Sequence, residues 1–204
     1  CDVKTLEFFT YHFQHSDEQV VDAAAELINS LLDGKGYQFE FLMENLWWPG
    51  LTLTRPEITE RLLSQVHYPR KGLMLDTGHL MHTNWELRPQ EEAVDYIRKQ
   101  VEAHGPLASF IRGMHLNQSL TGGYVRRLLE KREEAAGDYP ARLDACYRHV
   151  FQIDQHLPFT ASRMRELVEQ VAPAYLTFEL ITSDRQEHEE KIRRQWEALQ
   201  KDGA

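Results

Sequence analysis

The chain has 204 residues, of which 42% are hydrophobic and 27% charged, and its formal net charge is −9. These values are typical of a single globular domain. The acidic excess offers no general attraction to nucleic acid, because such affinity comes largely from Lys and Arg that displace phosphate counterions. No apolar run approaches the roughly 20 residues of a membrane span. The N-terminus lacks the order of a signal peptide, and two cysteines are too few for a disulfide framework. We therefore expect a cytoplasmic protein with no membrane partner.

Short β-rich runs alternate with helical segments along the chain. The runs are at 37–43, 72–76, 111–116 and 175–181. The predicted helices are at about 17–32, 55–66, 89–104, 124–136, 140–150, 161–171 and 184–201. Three helix starts have capping-box spacing, at Ser16 with Gln19, at Thr54 with Glu57 and at Ser183 with Gln186. Strands that alternate with helices predict a parallel sheet, because parallel neighbours need a long crossover.

The polar residues at the strand ends favour a barrel over an open sheet. Glu44, Asp76, His115 and Glu179 lie at or near the carboxyl ends of their strands, where barrel enzymes carry their chemistry. No glycine-rich nucleotide-binding motif follows a strand. Residues 1–204 are therefore predicted to form one domain, a TIM (β/α)8 barrel. Since such a barrel needs about 250 residues, the chain is expected to cover its C-terminal half to two-thirds, with the first strands missing. Residues 119–148 are predicted to be a helical insertion.

Seven acidic and histidine side chains are predicted to converge on divalent metal ions. They are Glu44, Asp76, His79, His115, Asp154, His156 and Glu179. A charged side chain in an apolar strand needs a partner or a metal, because an unpaired buried charge is costly. Carboxylates combined with imidazoles suit zinc, manganese or iron(II). The remaining histidines, including His82, are interpreted as surface or packing residues.

These strings resemble the xylose isomerase-like barrel superfamily, which includes the endonuclease IV type of apurinic endonuclease (AP endonuclease family 2) and many sugar isomerases and epimerases. The resemblance runs from about Leu42 to Ile181 and includes the string DTGH at 76–79. It implies that Glu44, Asp76, His115 and Glu179 hold one metal. IDQH at 153–156 and HLN at 115–117 resemble elements of the endonuclease branch, in which His79, Asp154 and His156 would bind a further zinc. Gln118 departs from the Asp that usually follows HLN, and WWPG at 47–50 departs from a small, Gly-rich loop.

The resemblance implies two alternative enzymes. In the first, up to three zinc ions support hydrolysis of a phosphoester in a sugar phosphate or an abasic nucleic acid. In the second, one ion, which could be Mn, Co or Mg, supports isomerisation or epimerisation of a sugar or sugar phosphate, with Glu44 and Glu179 as catalytic acid and base. A third interpretation is a binding or regulatory barrel with a structural metal. The first is preferred because of Asp154 and His156.

Further residues are candidates for contacts with the substrate. Trp47, Trp48 and Asn117 are expected to bind it, although the two tryptophans could equally pack a long loop against the barrel rim. Arg88, Arg126 and Arg127 are the nearest candidates for binding phosphate, although the last two could form the solvated face of a helix. The insertion is compatible with a lid or with a contact in a homo-oligomer, and its composition does not decide between them.

Overall fold

A single parallel sheet organises the chain in the computed structural model, which describes Glu7, residues 10–131 and residues 137–200. Its strands are β1 (Phe41–Glu44), β2 (Lys71–Asp76), β3 (Ile111–Leu116) and β4 (Tyr175–Phe178). They lie side by side in chain order, and all three pairings are parallel. The predicted α/β class with a parallel sheet is confirmed. Within the described residues the outer edges of β1 and β4 have no partner strand, so these four strands form an open sheet.

Helices connect each pair of neighbouring strands. The helices are α1 (Asp17–Leu32), α2 (Pro56–Gln65), α3 (Thr77–His82), α4 (Gln90–Ala103), α5 (Gly122–Lys131), α6 (Tyr139–Ile153), α7 (Met164–Val171) and α8 (Arg185–Gln200). A 3₁₀ helix, Gly105–Phe110, precedes β3. Each predicted helix matches an observed one, although residues 132–136 and 201 lie outside the described part. The predicted insertion, 119–148, contains α5 and the beginning of α6. Neither α3 nor the 3₁₀ helix was predicted.

One of the three predicted capping boxes is present. The Ser16 hydroxyl accepts from the Gln19 backbone, and the Gln19 side chain accepts from the Ser16 backbone. The box predicted at Thr54 is wrong, because α2 begins at Pro56 after Arg55 and has no side-chain cap. Proline suits this position, since its missing N–H would have no intrahelical partner there.

The capping box predicted at Ser183 is displaced by one residue. Asp184 accepts from the Glu187 backbone, and the Glu187 carboxylate accepts from the Ser183 backbone and hydroxyl. A carboxylate placed three residues before a backbone N–H satisfies it as well as a hydroxyl does. The sequence offered both partners, and spacing alone did not distinguish them.

The two central strands lie in the core, and the outer strands are more accessible. Leu73 and Leu75 of β2 and Met114 and Leu116 of β3 are fully buried. These residues are two positions apart on each strand, so they lie on one face of the sheet and pack into the core. By contrast, Tyr175 of β4 is exposed. The core therefore fixes β2 and β3 most firmly, and these strands carry Asp76 and His115 at their carboxyl ends.

Candidate metal centre

Four of the predicted residues meet at the carboxyl edge of the sheet. One ligand atom from each of Glu44, Asp76, His115 and Glu179 lies within 4.8 Å of the others. The sheet register explains part of this, because Asp76 is paired with His115 across β2 and β3. Nδ1 of His115 lies 3.6 Å from Oε1 of Glu44, 3.8 Å from Oδ2 of Asp76 and 2.9 Å from Oε2 of Glu179. We call these four residues the strand-end group.

The other three predicted residues form a second group. Ligand atoms of His79, Asp154 and His156 also lie within 4.8 Å of one another. Oδ2 of Asp154 lies 3.4 Å from Nε2 of His79 and 2.8 Å from Nε2 of His156. His79 belongs to α3, and the other two residues lie in the segment that follows α6. We call these three residues the loop group.

The two groups adjoin each other through His79. Its Nδ1 lies 3.2 Å from Oε1 of Glu44 and 3.8 Å from Oδ1 of Asp76. One imidazole thus stands between the carboxylates of the strand-end group and Asp154. All seven predicted residues therefore line one continuous site.

Neutral amides hold Asp76 in place. The Asn45 side chain accepts from the Asp76 backbone N–H at 2.8 Å and donates to its carbonyl at 3.1 Å. Nδ2 of Asn117 donates to Oδ2 of Asp76 at 2.9 Å. The backbone N–H of His79 donates to Oδ1 at 2.7 Å, so Asp76 is also the N-cap of α3. The bonds from Asn45 fix the backbone of Asp76, and the bonds from Asn117 and His79 fix its carboxylate.

The glycine in the DTGH string permits this close packing. A Cβ added to Gly78 would lie 2.0 Å from Oδ1 of Asn117. The Thr77 hydroxyl donates to the Asn117 carbonyl at 2.6 Å. Asn117 itself is fully buried, and its side chain supports Asp76. Its predicted contact with substrate stays a prediction.

Both histidines of the loop group are oriented by backbone carbonyls. Nδ1 of His79 lies 2.9 Å from the Asn45 carbonyl, and Nδ1 of His156 lies 3.1 Å from the Glu179 carbonyl. A carbonyl can only accept, so in the neutral rings Nδ1 carries the proton and Nε2 presents its lone pair to the side of Asp154. Histidines that bind metals usually have this kind of support.

A hydrogen-bonded turn presents His156. Its φ of 46° lies in the left-handed region, which costs a residue with a Cβ roughly 1 kcal/mol or more. The Ser119 hydroxyl accepts from the backbone N–H groups of Gln155 and His156. Backbone bonds in both directions join Gln118 to Leu157 and fasten this segment beyond the end of β3.

The side chains of the site reinforce one another's charged forms. Burial alone would lower the pKa of the His79 ring, but bonds to Asp154 and Glu44 outweigh it and raise the pKa to about 11. Two neighbouring carboxylates raise the pKa of His115 to about 10, and Glu179 contributes more than Glu44. Burial would raise the pKa of Glu44, yet the histidines lower it to about 2. The negative field that attracts protons to these rings would equally attract a divalent cation.

Burial dominates at Asp76 and competes with hydrogen bonding at Asp154. Burial raises the pKa of Asp76 to about 6, against the opposing charge of His79. Burial would also raise the pKa of Asp154, but hydrogen bonds with the surrounding histidine rings hold it well below its usual range. The Asp154 carboxylate therefore stays charged inside the site.

Two buried atoms of the strand-end group lack hydrogen bonds. They are Nδ1 of His115 and Oε2 of Glu179, which are 2.9 Å apart but not oriented to bond to each other. A cation between them would satisfy both, because it would accept a lone pair from each. The seven residues thus fit divalent ions held by nitrogen and oxygen.

His82 is a site residue that sequence reasoning missed. It is buried, and its Nε2 lies 3.3 Å from Oδ1 of Asp154, the oxygen that does not face the other two histidines. Burial lowers the pKa of His82, although Asp154 opposes that change. His82 lies three residues after His79, so both are on one face of α3. The sequence signal for His82 was its position three residues after His79. That spacing indicates a shared face only if DTGHLMH forms a helix.

The two tryptophans, whose ring centroids are 4.5 Å apart, border different parts of the site. The Trp47 ring packs against His79 and His82, with centroids 5.0 and 4.7 Å apart. Trp48 lines a cavity of about 580 Å³, between α1 and β1, that also reaches Glu44. Trp47 therefore covers the loop group, and Trp48 borders the strand-end group.

Comparisons with known proteins leave the family open. The chain matched none of the protein-family models, curated proteins or solved structures with which it was compared. None of the described helices combines the length and apolar composition that crossing a membrane requires. The fold and site define a mixed α/β protein with two adjoining groups of residues that could hold metal ions.

Proposed function

We propose that the chain is a metal-dependent enzyme that hydrolyses a phosphoester bond in a sugar phosphate or an abasic nucleic acid. One observation carries the proposal, namely the loop group lying beside the strand-end group. Two adjoining cation sites suit displacement at phosphorus, because one can serve the attacking oxygen and the other the leaving oxygen. A single-ion isomerase has no need of the second group.

We also propose that the sheet is part of a (β/α)8 barrel. The parallel strands follow one another in chain order, and the candidate ligands lie at their carboxyl ends, as in barrel enzymes. The outer edges of β1 and β4 lack partners within the described residues. Further strands that pair with both edges would close the ring and remove those edges.

Each group would hold at least one ion. The strand-end group supplies three carboxylates and one imidazole, and the loop group supplies one carboxylate and two imidazoles. These donors favour zinc, with manganese, cobalt or magnesium as other occupants. Glu44 adjoins both groups, so it is the carboxylate best placed to bridge ions, of which the site would hold up to three. Bound ions would supply Lewis acidity toward phosphate and lower the pKa of a water molecule.

The protein's own residues would position these parts and limit water. Asn45 holds the Asp76 backbone in place, and Asn117 restrains its carboxylate through Oδ2. Trp47 covers His79 and His82 and thereby excludes solvent from one side of the loop group. Glu44 and Glu179 are more accessible and lie where a substrate would enter.

The second candidate is a sugar isomerase or epimerase with a single ion. Its supporting observation is the cavity of about 580 Å³ bordered by Trp48 and Glu44, which is large enough for a small sugar. Glu44 and Glu179 would then move a proton as catalytic acid and base. In this scheme Asp154 and His156 only shape the pocket. A binding protein with one structural ion explains the site less well, because four ligands usually close a structural site and seven converge here.

A matched pair of histidine variants tests the choice. His156→Ala removes a ligand of the loop group, whereas His67→Ala removes an exposed histidine that is paired with Asp33. We expect zinc-loaded His156→Ala to lose at least a hundredfold in cleavage of an abasic oligonucleotide or of a phosphate ester, and His67→Ala to match the wild type. Unchanged hydrolysis in His156→Ala would rule out the scheme. Sugar isomerisation that survives in His156→Ala would favour the second candidate.

A further inference from the structure

We propose that a cavity beside the loop group is a binding site for the non-reacting phosphate of a small phosphorylated substrate. The cavity has a volume of about 620 Å³, and Arg88, Arg126 and Arg127 line it. Its volume falls within the usual range for small-molecule pockets, roughly 300–1,000 Å³. The inference rests on the proposed function only in taking the occupant to be the substrate.

The arginines leave the cavity positively charged. Glu86 pairs with Arg126 and lies 3.8 Å from Arg88. Among the described residues, Arg127 makes no ion pair or side-chain hydrogen bond, and its side chain is available to a ligand. Glu86 is thus shared by two of the three guanidinium groups and Arg127 has no carboxylate partner within the described part of the chain, which leaves a positive excess that suits an anion. Guanidinium groups are well matched to phosphate because their N–H donors can bond two of its oxygens at once.

The first turn of α5 adds backbone donors to the same wall. Thr121 and Gly123, which flank the first residue of α5, both line the cavity. The first N–H groups of a helix have no partner within it and favour an anion. A Cβ on Gly122 would lie 2.2 Å from the Trp85 carbonyl oxygen, so this close approach fixes the helix start against that loop.

The cavity borders the segment that carries two candidate metal ligands. Gln155, which lines the cavity, stands between Asp154 and His156 in sequence. A molecule anchored here by phosphate would therefore contact the segment that completes the loop group. A cavity of about 620 Å³ suits a phosphate monoester on a small molecule, and the net charge of −9 disfavours a nucleic-acid strand.

Calorimetric titration with inorganic phosphate tests the site. The full chain is titrated as purified and again after metal removal with EDTA, because phosphate can also bind to metal ions. We expect similar binding in both preparations and at least about tenfold weaker binding in Arg127→Gln and in Arg88→Gln, since each removes a charge-assisted hydrogen bond. The control is Arg185→Gln, which makes the same change in charge at an exposed arginine on α8. We expect this variant to bind phosphate as the wild type does.

Several results would overturn the inference. They are an absence of phosphate binding, binding that disappears with the metal, and binding that Arg127→Gln leaves unchanged. Tighter binding of a short single-stranded oligonucleotide than of phosphate would replace the small molecule with a nucleic acid. Metal content separates this inference from the proposed function: phosphate binding by a chain that takes up no metal would leave the cavity supported and remove the hydrolase.

Discussion

The strand-end group and the loop group differ in accessibility and in how they are built. In the strand-end group the side chains of Glu44, His115 and Glu179 are 35%, 20% and 41% exposed. In the loop group the side chains of Asp154 and His156 are 12% and 9% exposed. The strand-end group can thus meet a substrate, whereas the loop group is largely enclosed by protein. We therefore expect an ion in the accessible strand-end group to act on the substrate and an ion in the enclosed loop group to support that reaction.

The two groups also differ in what holds their residues in place. The strand-end group depends on parallel strands whose carboxyl ends coincide, with Asp76 beside His115. The loop group depends on a left-handed residue, His156, on backbone hydrogen bonds that the Ser119 hydroxyl accepts, and on those between Gln118 and Leu157. The first arrangement follows from the sheet, and the second needs local bonds that a single substitution can break.

The largest expected effect comes from Asp154→Ala. It removes the carboxylate that Nε2 of His79, His82 and His156 share, so these three enclosed nitrogens lose that partner. Breaking a buried charge pair by removing one partner typically costs about 3–5 kcal/mol. We expect a decrease of about 3 kcal/mol in the free energy of unfolding, measured by urea denaturation of the metal-free protein. We also expect loss of the loop-group ion with retention of the other. Unchanged stability and metal content would mean that the loop group does not form.

Gly78→Ala is expected to disturb the strand-end group indirectly, by displacing the Asn117 side chain that supports Asp76. The new methyl group would displace the Asn117 side chain, which bonds to Asp76. Such overpacking costs typically 1–3 kcal/mol, and we expect about 2 kcal/mol by urea denaturation, with weaker binding at the strand-end group. Gly123→Ala is the matched control, because its Cβ would only reach Arg127 at 3.5 Å. Equal stability of the two variants would contradict the packing described for DTGH.

His82→Phe tests whether His82 positions Asp154. The ring volume is roughly kept and the bond to Oδ1 of Asp154 is lost. Loss of such a supporting partner typically weakens metal binding about 10- to 100-fold. We expect a loss near tenfold at the loop group alone, followed by the d–d absorption spectrum of bound cobalt. His82→Gln, which keeps a donor, should restore part of the affinity. An unaltered cobalt spectrum in His82→Phe would assign His82 to packing only.

The smallest effect concerns an ion pair outside both groups. Arg61 and Gln65 on α2 bond to Asp22 on α1 and lower the pKa of its carboxyl to about 2. Because this folded-state pKa is depressed, the pair stabilises the protein above about pH 4, and the stabilisation is lost as the pH falls toward 2. We expect Asp22→Asn to lower the melting temperature slightly at pH 5 and hardly at pH 2.5, and to leave metal binding at neutral pH unchanged. A larger effect at pH 2.5 would contradict the assignment.

All seven residues of the two groups were predicted from sequence, those of the strand-end group from the strand pattern and those of the loop group from the strings DTGH and IDQH. A charged residue that ends an apolar run is visible in sequence, and parallel strands bring such residues to one edge, which is why Glu44, Asp76 and His115 could be named together. The barrel was predicted from the alternation of strands and helices and from the polar residues at the strand ends. The described residues support the parallel sheet, and closure of the ring stays a proposal.

The remaining features depend on contacts between distant segments. Asn45 and His82 are polar residues with no distinctive sequence pattern, and their roles follow from packing against Asp76 and Asp154. The short helix α3 is stabilised by Asp76 as its cap and by close contact with Asn117 rather than by an amphipathic period. The three arginines were named together from sequence as phosphate candidates, but the cavity that they share follows from how α5 lies against the Trp85 loop.

Metal content per chain tests the two-group site most directly. The chain is saturated with zinc, freed of excess by gel filtration and analysed by inductively coupled plasma mass spectrometry, beside His156→Ala and His67→Ala. We expect at least two zinc ions in the wild type, the same number in His67→Ala and at least one fewer in His156→Ala. A wild-type chain that retains one ion or none would contradict the claim that both groups bind metal.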